Sequence, residues 1–179
     1  CAVVHDIHSR LVVYVDDLST VACRYAKEKG VVKYLFTLLA EVATEEDPTP
    51  LLTRMHDKGV TQATITSVAA NKSSKSLIRS ATSLMAALVS YPEAAAAFAN
   101  SETILMLNEI CNANLKKPEI ALNVISVLIK LAENEMCARV MSENRIVQTT
   151  AQTLNMCRDD KDLVISCLYL LTNLIQFKN

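Results

Sequence analysis

Residues 78–88, IRSATSLMAAL, return at 121–131 as ALNVISVLIKL and again at 164–174 as VISCLYLLTNL. The apolar positions Ile78, Ala81, Leu84, Met85 and Leu88 become Ala121, Val124, Val127, Leu128 and Leu131. They return once more as Val164, Cys167, Leu170, Leu171 and Leu174. Every step is 43 residues, and within each set the spacing is 3, 3, 1, 3. That spacing lays five side chains along one stripe of an α-helix. A helical stripe returning with a period near 40 marks a stack of helical units, each burying its apolar face against the next.

Composition agrees with helices and little else. The chain of 179 residues is 51% apolar but only 4% aromatic, with no tryptophan. Ala, Leu, Val and Ile suit helices packed closely side by side. Two glycines, Gly30 and Gly59, and four prolines leave little turn chemistry for a β-rich fold. The expectation is all-α.

Helix starts fill in the unit around the stripe. Tyr91-Pro92-Glu93 and Lys117-Pro118-Glu119 place proline at a first helical position, where its missing N–H costs nothing, and a glutamate beside the positive end of the helix dipole. Short helices are expected at Pro50–Lys58, Pro92–Ser101 and Asn134–Glu143, with a middle helix opening after each at Val60, Ile104 and Ile146. The unit is a short, a middle and a long helix.

At this point the chain resembles the armadillo-repeat superfamily. The stretches MHDKGVTQATITSV (55–68) and KEKGVVKYLFTLL (27–39) look like that family's glycine corner between the first two helices. The endings SLMAALVS (83–90), SVLIKLAEN (126–134) and YLLTNLIQ (169–176) resemble its alanine-and-leucine pattern closing on Asn-Leu. The resemblance is strongest over residues 49–179. It implies an armadillo-like, right-handed α-solenoid of about four three-helix repeats, at about 1–48, 49–91, 92–133 and 134–179.

The first 48 residues admit two readings. In one, Val3–Ser9 is a short helix, Leu11–Lys27 the middle helix and Val31–Thr44 the long one. In the other, Leu11–Ala22 is a long helix and Gly30 the corner. The first gives four units of similar length and is preferred. Glu45, Glu46 and Asp47, followed by Pro48 and Pro50, read as a loop either way. Neither end carries the polar cap that a repeat array needs, so the chain is expected to be a segment of a longer solenoid or to be covered by partners.

Charge and cysteine content narrow the function classes. The formal net charge is −1. The clusters Lys72/Lys75/Arg79 and Lys116/Lys117 fall at turns and helix starts, where solvated faces are expected, so a counterion-displacing nucleic-acid surface is disfavoured. Six cysteines (Cys1, Cys23, Cys111, Cys137, Cys157, Cys167) show no close paired spacing and read as free thiols of an intracellular, most simply cytoplasmic, protein. The longest uncharged run, Leu163–Phe177, is shorter than the ~20 residues that span a bilayer.

Catalytic signals are missing. His5 and His8 lie three apart with Asp6 between them and Cys1 nearby, but no fourth metal ligand is evident. His56 reads as a cation near a helix C-terminus. Asp160 and Asp162 read as helix N-terminal residues. No phosphate loop, dinucleotide fingerprint or nucleophile elbow occurs. No enzyme, cofactor or metal is expected.

The family's peptide binders line a concave groove with Trp and Asn ladders. Carried over by the 43-residue register, the Trp-equivalent positions are Ser83, Ser126 and Tyr169, and the Asn-equivalent positions are Ala87, Lys130 and Asn173. The first unit would contribute Thr37 and Glu41. Only Tyr169 and Asn173 keep a trace of the ladder, which argues against binding nuclear-localisation peptides. The expected role is a protein-interaction scaffold or adaptor, with Arg79, Ser83, Lys130, Tyr169 and Asn173 as its groove contacts. The alternative is a regulatory solenoid of a larger enzyme or transport receptor.

Overall fold

The computed structural model describes residues 13–44 and 48–176, and within them the chain is all-helical, with eleven α-helices and no strand. It divides into two compact units, with the boundary between Ala94 and Ala95. The first unit holds α1 (Val15–Arg24), α2 (Lys29–Val42), α3 (Thr49–Asp57), α4 (Val60–Ala70) and α5 (Lys75–Leu88). A short helix, α6 (Pro92–Phe98), crosses the boundary. The second unit holds α7 (Ser101–Ala113), α8 (Pro118–Leu131), α9 (Glu135–Glu143), α10 (Ile146–Met156) and α11 (Lys161–Gln176).

Both units have the same internal plan. In the first, α1 packs on α2, α3 and α4, and α5 packs on α2 and α4. In the second, α7 packs on α8, α9 and α10, and α11 packs on α8 and α10. Long helices thus lie along long helices and middle helices along middle helices. The apolar stripe supplies the contact. All five of its members are buried on α5 and on α8. On α11 only Cys167, Leu170 and Leu174 are buried, while Val164 and Leu171 are half-exposed, so the last helix is covered on fewer sides.

Helix boundaries follow local chemistry. Pro92 and Pro118 begin α6 and α8. The Asn134 side chain accepts from the Cys137 amide at 3.2 Å and caps α9, and Asp160 Oδ1 accepts from the Leu163 amide at 3.1 Å at the start of α11. The middle helix expected to open at Ile104 opens instead at Ser101, because the Asn100 side chain accepts from the Thr103 amide at 2.9 Å and caps it earlier.

Gly59 ends the turn between α3 and α4 with φ 87°, a left-handed conformation that glycine adopts without the clash a Cβ brings. The corner expected at Gly30 does not form. Gly30 lies in the first turn of α2 without a positive φ, and α1 and α2 fall on the middle and long helices of the first reading. The short helix expected at Val3–Ser9 and the loop at Glu45–Asp47 lie outside the described residues.

Candidate functional site

The long helices carry the residues singled out by the repeat register. Aligned on their first residues (Lys29, Lys75, Pro118 and Lys161), they place Thr37, Ser83, Ser126 and Tyr169 at one position and Glu41, Ala87, Lys130 and Asn173 at another. None of the eight is buried, so both rows lie outside the packed core of their units.

In the first unit, Arg79 is exposed and Ser83 half-exposed, one turn apart on α5. Across from them on α2, Thr37 Oγ1 lies 3.0 Å from Ser80 Oγ and also donates to the Lys33 carbonyl at 2.9 Å. This hydroxyl pair ties the open edges of α2 and α5 together. Beside it, the Lys33 ammonium sits 4.4 Å from the centroid of the exposed Tyr34 ring.

In the second unit, Lys130 lies on α8, and Tyr169 and Asn173 lie one turn apart on the adjacent α11. Tyr169 is more than half exposed. The Lys130 ammonium pairs with Glu133 and bends toward the end of its own helix. The half-buried Ser126 folds back on its own helix, its hydroxyl donating to the Leu122 carbonyl at 2.8 Å. The structure therefore groups Arg79 with Ser83 in one unit and Lys130, Tyr169 and Asn173 on neighbouring helices of the other.

Contacts between middle helices form a second polar system that the register did not reveal. Cys23 Sγ donates to the Lys58 carbonyl at 3.1 Å, and the Ser67 hydroxyl donates to the Ala26 carbonyl. In the second unit, Asn108 Nδ2 donates to the Asn144 carbonyl at 3.2 Å, Asn112 Nδ2 to Thr149 Oγ1 at 3.1 Å, and Cys157 Sγ to the Leu115 carbonyl at 3.1 Å. Each satisfies a helix-end or side-chain group, so these residues act as fasteners. Polar residues a turn apart (Asn108 and Asn112) were the available sequence signal.

The thiols are not poised for chemistry. Burial pushes Cys23, Cys111, Cys137 and Cys157 above the ordinary thiol value, and Cys167 up to about 12, so all five hold their protons at neutral pH. All five are free. Among the described residues no group of three or more His, Cys, Asp or Glu could hold a metal ion. His5 and His8 lie outside them. His56 ends α3 with its Nδ1 3.0 Å from Thr61 Oγ1 and its ring edge-on to Tyr91, a packing role.

The clefts among the described residues include two open ones. One, of about 550 Å³, is lined by Cys23, Arg24, Lys27, Lys58, Gly59 and Gln62 among others. The other, of about 670 Å³, is lined by Lys116, Pro118, Met156, Cys157, Asp159 and Asp160. In the second, burial and the neighbouring Asp160 carboxylate both hold the Cys157 thiol in its protonated form. Among the described residues no helix is long and apolar enough to cross a membrane.

No family model matches the chain, and no curated protein does. A crystal structure of an engineered protein from a structural genomics consortium is similar in fold, with a TM-score of 0.71 over 91% of this chain at 16% identity. The chain spans 63% of that structure's length.

Proposed function

We propose that the chain is an armadillo-like, right-handed α-solenoid of about four three-helix repeats, working as a non-catalytic protein-interaction scaffold. The observation that carries this reading is the open face of the second unit. There Lys130, Tyr169 and Asn173 stand on long helices that pack against each other, and none of the three is buried in that contact. A preformed face of this kind binds by holding a partner at little ordering cost. The face of the first unit, with Arg79, Ser83 and the Thr37–Ser80 pair, is the corresponding polar surface there. Free, protonated thiols suit a reducing, intracellular setting.

The test is site-specific photo-crosslinking. A photoreactive residue at Asn173 or Ser83 should capture a defined protein partner in cells, whereas the same residue at Gln152, exposed on α10, should not. Equal capture from Gln152, or none from either face, overturns the reading. Tyr169→Ala with Asn173→Ala should weaken recovery of that partner with helical circular dichroism unchanged.

A further inference from the structure

The cleft of about 550 Å³ in the first unit concentrates positive charge in a chain whose formal net charge is −1. Arg24, at the end of α1, and Lys27, in the turn after it, line one side. Lys58, at the corner between α3 and α4, lines the other with Gln62 and Thr66, which lie one turn apart on α4. Glu28 is the single carboxylate lining it among the described residues. The two sides are fastened together. Cys23 Sγ holds the Lys58 carbonyl near one end, and the Ser67 hydroxyl holds the Ala26 carbonyl near the other. Both walls are helices of one packed unit, so the shape of the cleft is set from within it.

The three cations are unspent. Arg24, Lys27 and Lys58 form no ion pair among the described residues, whereas Arg54 of the same unit is paired with Asp16 at 3.0 Å. Like charges set between low-dielectric walls focus their field and draw anions from solution. The rest of the lining selects among anions. From Gly59 to Thr66 the α4 wall runs about 10 Å, the span of about three residues of extended peptide. The Gln62 amide and the Thr66 hydroxyl each donate and accept, which matches a peptide backbone, whereas a phosphate offers acceptors alone. No aromatic side chain among the described residues lines the cleft to stack a base, as single-stranded nucleic acid requires.

We infer that this cleft binds a short, extended acidic segment of a partner protein, its carboxylates on Arg24, Lys27 and Lys58 and its backbone on Gln62 and Thr66. Arg24 offers a planar fork to one carboxylate, and the two lysines act as point charges for others. Exposed charge pairs are weak one at a time, so the affinity comes from several carboxylates acting together and falls with salt. The cleft is a surface apart from the docking faces above. It is formed by α1, α4 and the corner before α4, off the long-helix rows that carry Ser83 and Asn173.

The experiment titrates fluorescein-labelled hexaglutamate with the whole chain and follows anisotropy, with labelled hexaglutamine as the neutral control. Hexaglutamate should bind saturably, and more weakly as salt rises past ~0.1 M, where charges are screened over about 10 Å. Hexaglutamine should not bind. Arg24→Gln with Lys58→Gln should weaken binding at least ~10-fold, about 1.4 kcal/mol, with circular dichroism unchanged because both side chains are exposed. Lys116→Gln with Lys161→Gln removes the same charge from exposed positions of the second unit and should leave binding intact. Glu28→Gln should tighten it. Absence of hexaglutamate binding overturns the inference, as does equal weakening by the two charge-removing pairs. Displacement of the peptide by inorganic phosphate at equal concentration overturns it in favour of a phosphate site. Preferential binding of oligothymidylate, lost with the cleft pair, overturns it in favour of nucleic acid. Tighter peptide binding after Glu45→Gln, Glu46→Gln and Asp47→Asn together overturns it in favour of the chain's own acidic run. Crosslinks from Asn173 or Ser83 without peptide binding remove this inference and leave the docking reading standing, and peptide binding without those crosslinks does the reverse.

Discussion

Gly59 and Arg145 occupy the same corner two periods apart, and both take a left-handed backbone, with φ of 87° and 62°. The residue before each offers its carbonyl to the preceding middle helix: Lys58 accepts from Cys23 Sγ and Asn144 accepts from Asn108 Nδ2. One backbone device thus serves both units, with a glycine in one and a strained arginine in the other.

Arg145→Gly should raise stability by a few tenths to about 1 kcal/mol, because relief of left-handed strain exceeds the added entropy of the unfolded chain. Gly59→Val should lower it by about 1–2 kcal/mol, since a β-branched residue is forced into that region. Urea denaturation of the two variants checks the signs. A stabilised Gly59→Val would refute the account of the corner.

Ser19 is fully buried on α1, and its hydroxyl has no hydrogen-bond partner among the described residues. Ser19→Ala should therefore stabilise the chain by about 1 kcal/mol, the desolvation cost of an unpaired hydroxyl. Ser67 is buried too, but its hydroxyl bonds the Ala26 carbonyl, so Ser67→Ala should destabilise by about 1 kcal/mol. Thermal melts of the pair should move in opposite directions.

Leu128 is buried on the stripe of α8, whereas Leu168 projects from α11. Leu128→Ala should cost about 2–5 kcal/mol through lost burial and a residual cavity, and Leu168→Ala should change stability by no more than about 0.5 kcal/mol. Comparable losses at both positions in chemical denaturation would contradict the exposure of Leu168.

Burial raises the Cys167 thiol from 9.0 to about 12, so the folded state keeps a proton that the unfolded chain releases. The associated stability is complete below pH 9 and is lost as pH climbs through the window up to 12. Cys167→Ala should flatten that alkaline decline in pH-dependent denaturation. In the native protein, Cys167 should also resist iodoacetamide across neutral pH and react once unfolded.

Much of the fold was legible because the stripe is local. Five apolar residues at 3, 3, 1, 3 specify a helix and its buried face wherever they occur, and proline and asparagine mark the starts. The corners were less legible. Gly30 and Gly59 look alike in sequence, yet only Gly59 adopts a positive φ, because that depends on how the flanking helices pack. Arg145 gave no signal at all, since arginine is not a residue that announces a left-handed turn. The candidate groove residues could be placed by register, but the bond of Ser126 to its own helix backbone and the pairing of Lys130 with Glu133 depend on side-chain rotamers that spacing does not encode.

By itself, then, the sequence determined the all-helical class, the recurring stripe and the helices that bear it, since periodicity and capping act over a few residues. Only the tertiary structure decided which faces are spent and which remain open. Leu168 and Ile175 occupy positions that are buried on α8 and exposed on α11, and no local pattern distinguishes them. Burial is a property of neighbours, and the neighbour that covers a helix lies some forty residues along the chain or in another molecule.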